Sequence, residues 1–272
     1  MLKSRVLTAL LLGPLAVAAT LLLPSSWFAM ILGIIFCVGA WEWTGLARLE
    51  HKVLRHFYVA LFVVFLIMLF DEGTLRSLMV PVAAVAALWW LLAFGFVSAY
   101  PRGSAVWSSF PSLISFAGLF SLLPAWLALV GLHANLGPGY VLLLLCLIWG
   151  ADIGAYFAGH AFGRRKLAPQ VSPGKTWAGV GGALAAALVI ALAGAWLLQL
   201  PPQDWPTLII VSLAAVAISV VGDLTESMFK RLAGLKDSGN ILPGHGGMLD
   251  RIDSLLAAAP IFVLGLLWQT LL

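Results

Sequence analysis

The sequence predicts an all-α fold: a polytopic transmembrane helical protein of about nine spans, with its N-terminus inside and its C-terminus outside. Three observations carry this prediction. Of 272 residues, 62% are hydrophobic and only 10% charged, with a mean hydropathy of +1.05, which excludes an ordinary soluble domain. Apolar runs of roughly 17 to 25 residues, enough to cross a ~30 Å hydrocarbon core, recur along the whole chain. They leave no room for a separate soluble unit, so residues 1–272 read as one integral membrane domain. The basic residues, finally, segregate to one side of these runs.

The first run, 6–23, follows Lys3 and Arg5 and has the outline of a secretory signal. The many spans after it favour a retained first helix instead. Further spans are expected near 27–46, 57–70, 78–99, 111–133, 139–158, 177–199, 207–223 and 254–271, each bounded by proline, glycine or charge. The third is short as drawn and could begin earlier. With the N-terminus inside, 15 Lys and Arg residues divide so that only Arg76 falls outside, as the retention of positive loops in the cytoplasm requires. The expected setting is therefore a multi-pass protein of a bacterial cell (inner) membrane, with its polar chemistry at the cytoplasmic face. Cys37 and Cys146 lie inside apolar runs without metal-ligand spacing and read as packing residues.

Ionisable groups within spans cost roughly 2.5 to 3.5 kcal/mol each and are functional candidates by default. Glu42, Asp152, Asp223 and Glu226 all fall toward inner helix ends, and Asp250 with Asp253 opens the last helix on that side. Acids from four spans thus gather at one depth. Glu42 is equally accounted for as an interfacial residue solvated by headgroups. Asp152 lies ~10 Å from the inner end of its span, too deep for solvation without a cavity or partner, so an inward-facing aqueous cleft is expected around it. Asp223, Glu226, Ser227, Lys230 and Arg231 share one helical face, acids first and bases a turn later. Asp250 and Asp253 are i, i+3 neighbours, and helix capping is the plain structural account of the pair. Hard oxygen ligands without a His or Cys cluster suit Mg²⁺ rather than zinc. Carboxylates, Mg²⁺ and bases together describe a polyphosphate site.

Two polar segments flank this chemistry. Residues 234–247 contain Gly234, Gly239, Gly244, Gly246 and Gly247, whose backbone amides can approach phosphate oxygens; a flexible linker is the plainer alternative. "VSPGKTWAG" at 171–179 is not a P-loop, because Pro169 stands where the first glycine belongs and no strand is expected ahead of it. It reads as a basic loop in which Ser172, Lys175 and Thr176 face a headgroup or phosphate. Arg164, Arg165 and Lys166 either enforce topology or attract anionic lipid.

The run Ser227, Lys230, Arg231, Lys236, Asp237, Gly239, Leu242, Pro243, His245, Gly246, Gly247, Asp250, Arg251 and Asp253 resembles the signature of the phosphatidate cytidylyltransferases, or CDP-diacylglycerol synthases, of bacterial type. "GADIGAYFAGHAFGRRKLAPQVSPGKTWAG" resembles that family's second characteristic region, departing from it at Gly174 and Ala178. The likeness is strongest over about 140–272, and residues 1–140 match only in hydropathy. It implies transfer of CMP from CTP to phosphatidic acid, giving CDP-diacylglycerol and pyrophosphate, with Mg²⁺ and room for a second cation. It further implies Asp223 and Asp250 as principal metal ligands with Asp253 in support, and Asp152 and Glu226 as further candidates. Lys230, Arg231, Lys236 and Arg251 would bind the triphosphate. Ser227, Asp237 and the glycines 244, 246 and 247 would contact substrate, and His245 would donate to a phosphate or simply hold the loop. Asp152 could order the cleft, bind the second cation or touch substrate. Expected partners are the two substrates and the bilayer, with a homodimer left open and no nucleic acid. A CDP-alcohol phosphotransferase would show DGxxAR followed by spaced aspartates, which this sequence lacks. A transporter would concentrate its polar groups near the midplane rather than in inner-face loops.

Overall fold

A computed structural model describes residues 2–242, 244 and 246–271, with side chains for all of these except 2–9, 72 and 268–271. The described chain is helical almost throughout: α1 Leu2–Leu22, α2 Ser25–Leu46, α3 Lys52–Leu69, α4 Glu72–Ala99, a short α5 Ser104–Ser109, α6 Pro111–Asn135, α7 Pro138–Phe162, α8 Trp177–Leu197, α9 Trp205–Ala233 and α10 Leu249–Leu271. Each expected span falls on one long helix, and seven of these helices, α2 to α4 and α6 to α9, are long and apolar enough to cross a membrane. Side chains such as Ile153, Phe157, Val189 and Trp196 are exposed on the outside of the bundle, where lipid rather than water is the fitting solvent.

Three departures from the sequence reading bear on the site. The chain is not purely α: β1 Lys166–Ala168 and β2 Ser172–Thr176 form an antiparallel hairpin between α7 and α8. The basic loop expected at 171–176 is therefore a strand, and one does precede α8. Pro and Gly in "SPGKT" read locally as a turn, whereas pairing Lys166 with Thr176 satisfies the backbone. Helix α9 also runs ten residues past the expected end at 223, because a hydropathy reading stops at Asp223 while the backbone does not. Gly234, at φ 73°, ends it in a left-handed cap, with Leu235 N–H donating to Lys230 O at 2.8 Å. Helix α10 likewise starts at Leu249, ahead of the expected 254.

The core packs α2, α6, α9 and α10 around large buried side chains, including Trp43, Trp126, Phe229 and Phe262. Trp43 meets Phe229 edge-on at 5.7 Å and donates its indole N–H to Ile114 O at 2.7 Å, tying α2 to α9 and α6. Gly222 lets α9 approach α10 closely, since a Cβ there would lie 2.7 Å from Asp253 O. That approach brings the acidic ends of the two helices side by side.

Candidate active site

A cleft of about 490 Å³ opens between α7, α8, α9 and the hairpin, and its walls include Asp152, Gly159, Lys166, Lys175, Thr176 and Asp223. Asp152 faces this space, so a cleft does surround it. Thr176 caps α8 by accepting the Gly179 N–H at 3.1 Å, which fixes the junction from which Lys175 projects. Lys175 Nζ then meets Asp223 Oδ2 at 2.5 Å, with each side chain about a quarter exposed. Ser172, on the same strand, is not among the cleft-lining residues.

Two turns further along α9, Lys230 is nearly buried between two carboxylates, 2.7 Å from Glu226 Oε2 and 2.6 Å from Asp250 Oδ1. Ser227 Oγ donates to Asp223 Oδ1 at 3.3 Å, so the acid and base face expected on this helix is present. Neither Glu226 oxygen receives an aligned hydrogen bond; its contact with Lys230 is ionic only. Asp253 accepts the N–H of the adjacent Ser254 at 2.7 Å and lies within electrostatic reach of Asp223, Lys175 and Lys230. Asp223, Lys175 and Arg251 act electrostatically on Asp152.

Several expectations change. Lys230, expected to face the triphosphate, is ion-paired with two acids here. Among the described residues, no three His, Cys, Asp or Glu side chains converge as a ready metal cage, because ammonium groups stand between the acids. The Gly247 amide is already committed, donating to Asp250 Oδ2 at 2.8 Å beside the Ser238 amide at 3.0 Å, so it does not face a phosphate. Gly244 and Gly246 have φ of 78° and 80°, and Leu242 N–H donates to Gly246 O at 3.0 Å, closing the loop into a tight turn. Asp250 therefore binds the turn ahead of its helix rather than capping α10. Arg231 donates to Val171 O at 3.3 Å, joining α9 to the hairpin. Lys236, Asp237 and Arg251 are exposed and are not among the cleft-lining residues. His245 and Pro243 lie outside the described residues.

Glu42 is not solvated at an interface. It is 4% exposed and reaches from α2 to the loop and the first residues of α10. Only the cost of burying a carboxylate in span 2 hinted at this. A second hollow of about 720 Å³ lies between the end of α4, the hairpin turn, α8 and α9, with Arg102 at its rim. It shares Leu167, Val180 and Val220 with the cleft.

Comparison with known proteins gives the same direction. The Cytidylyltransferase family matches residues 3–268. The chain is 47% identical to a phosphatidate cytidylyltransferase of Pseudomonas aeruginosa, over 98% of this chain and 97% of that one. It is 43% identical to a phosphatidate cytidylyltransferase of Haemophilus influenzae, over 96% and 97%. A Bacillus subtilis protein of the same name is 45% identical over 46% of each chain. Likeness of this extent, running through the helices that build the cleft as well as the polar signature, means that the chain belongs to the cytidylyltransferase family.

Proposed function

We infer that the chain transfers CMP from CTP to phosphatidic acid, producing CDP-diacylglycerol and pyrophosphate for phospholipid synthesis. The observation that carries this reading is the Lys175–Asp223 pair in the cleft, beside the Glu226–Lys230–Asp250 group, in a chain whose relatives are phosphatidate cytidylyltransferases over nearly their full length.

The nucleophile is an oxygen of the lipid's own phosphate, ionised at neutral pH, so a strong protein base is unnecessary. It bonds to the α-phosphorus of CTP as the bond from that phosphorus to the bridging oxygen breaks, and the electron pair leaves with pyrophosphate. The protein's task is alignment and charge neutralisation. Lys175, fixed by the hairpin and the Thr176 cap, meets phosphate oxygens inside the cleft. Arg231, Lys236 and Arg251 hold the triphosphate and the departing pyrophosphate.

Asp223 and Asp250, with Asp253 in support, would hold Mg²⁺, and Asp152 or Glu226 would serve a second cation. The donors fit: they are hard carboxylate oxygens, and the ammonium groups of Lys175 and Lys230 mark where these carboxylates accept positive charge. When bound, the ion neutralises and orients phosphate oxygens. The shared wall between cleft and second hollow suits a lipid whose phosphate reaches the acids while its apolar part lies along α4 and α8. The segregation of basic residues supports nine spans, an inside N-terminus, an outside C-terminus and a site on the cytoplasmic face of the inner membrane.

The test uses purified protein in detergent with labelled CTP, phosphatidic acid and magnesium. CDP-diacylglycerol and pyrophosphate are expected in equal amounts, and no product from folded protein overturns the reading.

A further inference from the structure

We propose that Glu42, on α2, is the positioning residue that sets Asp250 in place from across the bundle. Its carboxylate accepts three hydrogen bonds: from Ser238 Oγ at 3.1 Å, from Met248 N–H at 3.0 Å and from Leu249 N–H at 2.7 Å. Among the described residues no basic side chain pairs with it, so neutral donors and the amide end of α10 stabilise its charge. The same short segment serves Asp250, whose Oδ2 accepts the Ser238 and Gly247 amides. Two carboxylates thus divide one set of donors. Ser238 gives its hydroxyl to Glu42 and its amide to Asp250; Gly247 serves Asp250, and the next two amides serve Glu42.

This division has a geometric consequence. With Oδ2 fastened to the segment, Asp250 Oδ1 is left pointing at Lys230. The segment itself is held by Glu42, which is anchored through its neighbour Trp43 to α6 and α9. Gly239 and Gly247 fit the same account, because a Cβ at either would collide with the Glu42 carboxylate. At these two positions glycine makes room for the clamp instead of offering an amide to phosphate. Glu42 lines neither the cleft nor the second hollow; it acts through Asp250.

The inference rests on the cytidylyl-transfer reading for its kinetic arm only. Glu42→Gln keeps the volume but turns an amide group toward donors, leaving at least one unmatched. For equal amounts of folded enzyme, kcat is expected to fall about 10- to 100-fold, the effect of roughly an ångström of misplacement, while KM for phosphatidic acid stays within about twofold. Hydrogen exchange of peptides spanning 238–250 should quicken, with α6 to α8 unchanged. A merely structural role would lower the yield or melting temperature and leave kcat per folded molecule alone, and that result overturns the proposal. Should Glu42→Gln fail to fold, Ser238→Ala decides: it removes one of the three donors, and unchanged kcat with unchanged local exchange overturns the proposal equally. An inactive parent enzyme would sink the functional reading, while the exchange arm would still judge the clamp.

Discussion

Lys230 donates to Asp250 Oδ1 at 2.6 Å, joining the C-terminal end of α9 to the start of α10. The same ammonium group neutralises Glu226 at 2.7 Å. One nearly buried base is thus shared by two acids. Removing one member of such a group leaves an uncompensated charge, which costs about 3–5 kcal/mol.

Lys230→Met is therefore expected to lower the detergent melting temperature markedly and to abolish turnover. The double variant Lys230→Met/Glu226→Gln should recover part of the lost stability and none of the activity. Melting curves read beside product formation separate the two effects.

Lys175→Ala should behave in the opposite way. Its pair with Asp223 is partly exposed, and such pairs contribute about 0–1 kcal/mol, so the melting temperature should hardly move. A positive donor lost from the cleft should nonetheless lower kcat/KM by about 10²-fold. A large melting shift with normal kinetics would remove Lys175 from the chemistry.

Asp250→Asn presents an amide nitrogen where Asp250 now only accepts, facing either the Lys230 ammonium or the Ser238 and Gly247 amides. Turnover should vanish while the protein still purifies as a folded species. Retained CDP-diacylglycerol formation would take Asp250 out of the metal-binding role.

Chelation gives a test without mutation. EDTA should stop product formation, and added Mg²⁺ should restore it, because carboxylates held apart by lysines can neutralise a triphosphate only with a cation between them. Activity undiminished by a chelator would mean that the lysines and arginines suffice.

Thr176→Ala removes the side-chain acceptor for Gly179 N–H. A stability loss of about 1 kcal/mol follows from the missing cap. A larger fall in activity than in stability is expected, since the cap also fixes Lys175; melting and rate measured on one preparation compare the two.

Helix positions were legible in the sequence because each depends on local matters: the length of an apolar run against the thickness of a bilayer, and the breaks that proline, glycine and charge impose. The acid and base face of α9 was legible for the same reason, since Asp223, Glu226, Ser227 and Lys230 follow helical spacing. Where hydropathy and backbone part company, as at the end of α9 and the start of α10, the expected bounds fell short. The hairpin was missed because its strands are brief and hold proline and glycine, residues that argue against strands until a partner is present.

The sequence by itself determined a helical membrane protein with acids, bases and glycines collected where its last two helices meet, because composition and periodicity act within a few residues of each other. Only the tertiary structure decided which acid meets which base: Lys175 with Asp223, Lys230 between Glu226 and Asp250, and Glu42 with the start of α10. Those pairings join positions as many as 207 residues apart. A buried charge is stabilised by whatever donors packing brings within about 3 Å, and no local pattern records which ones those will be.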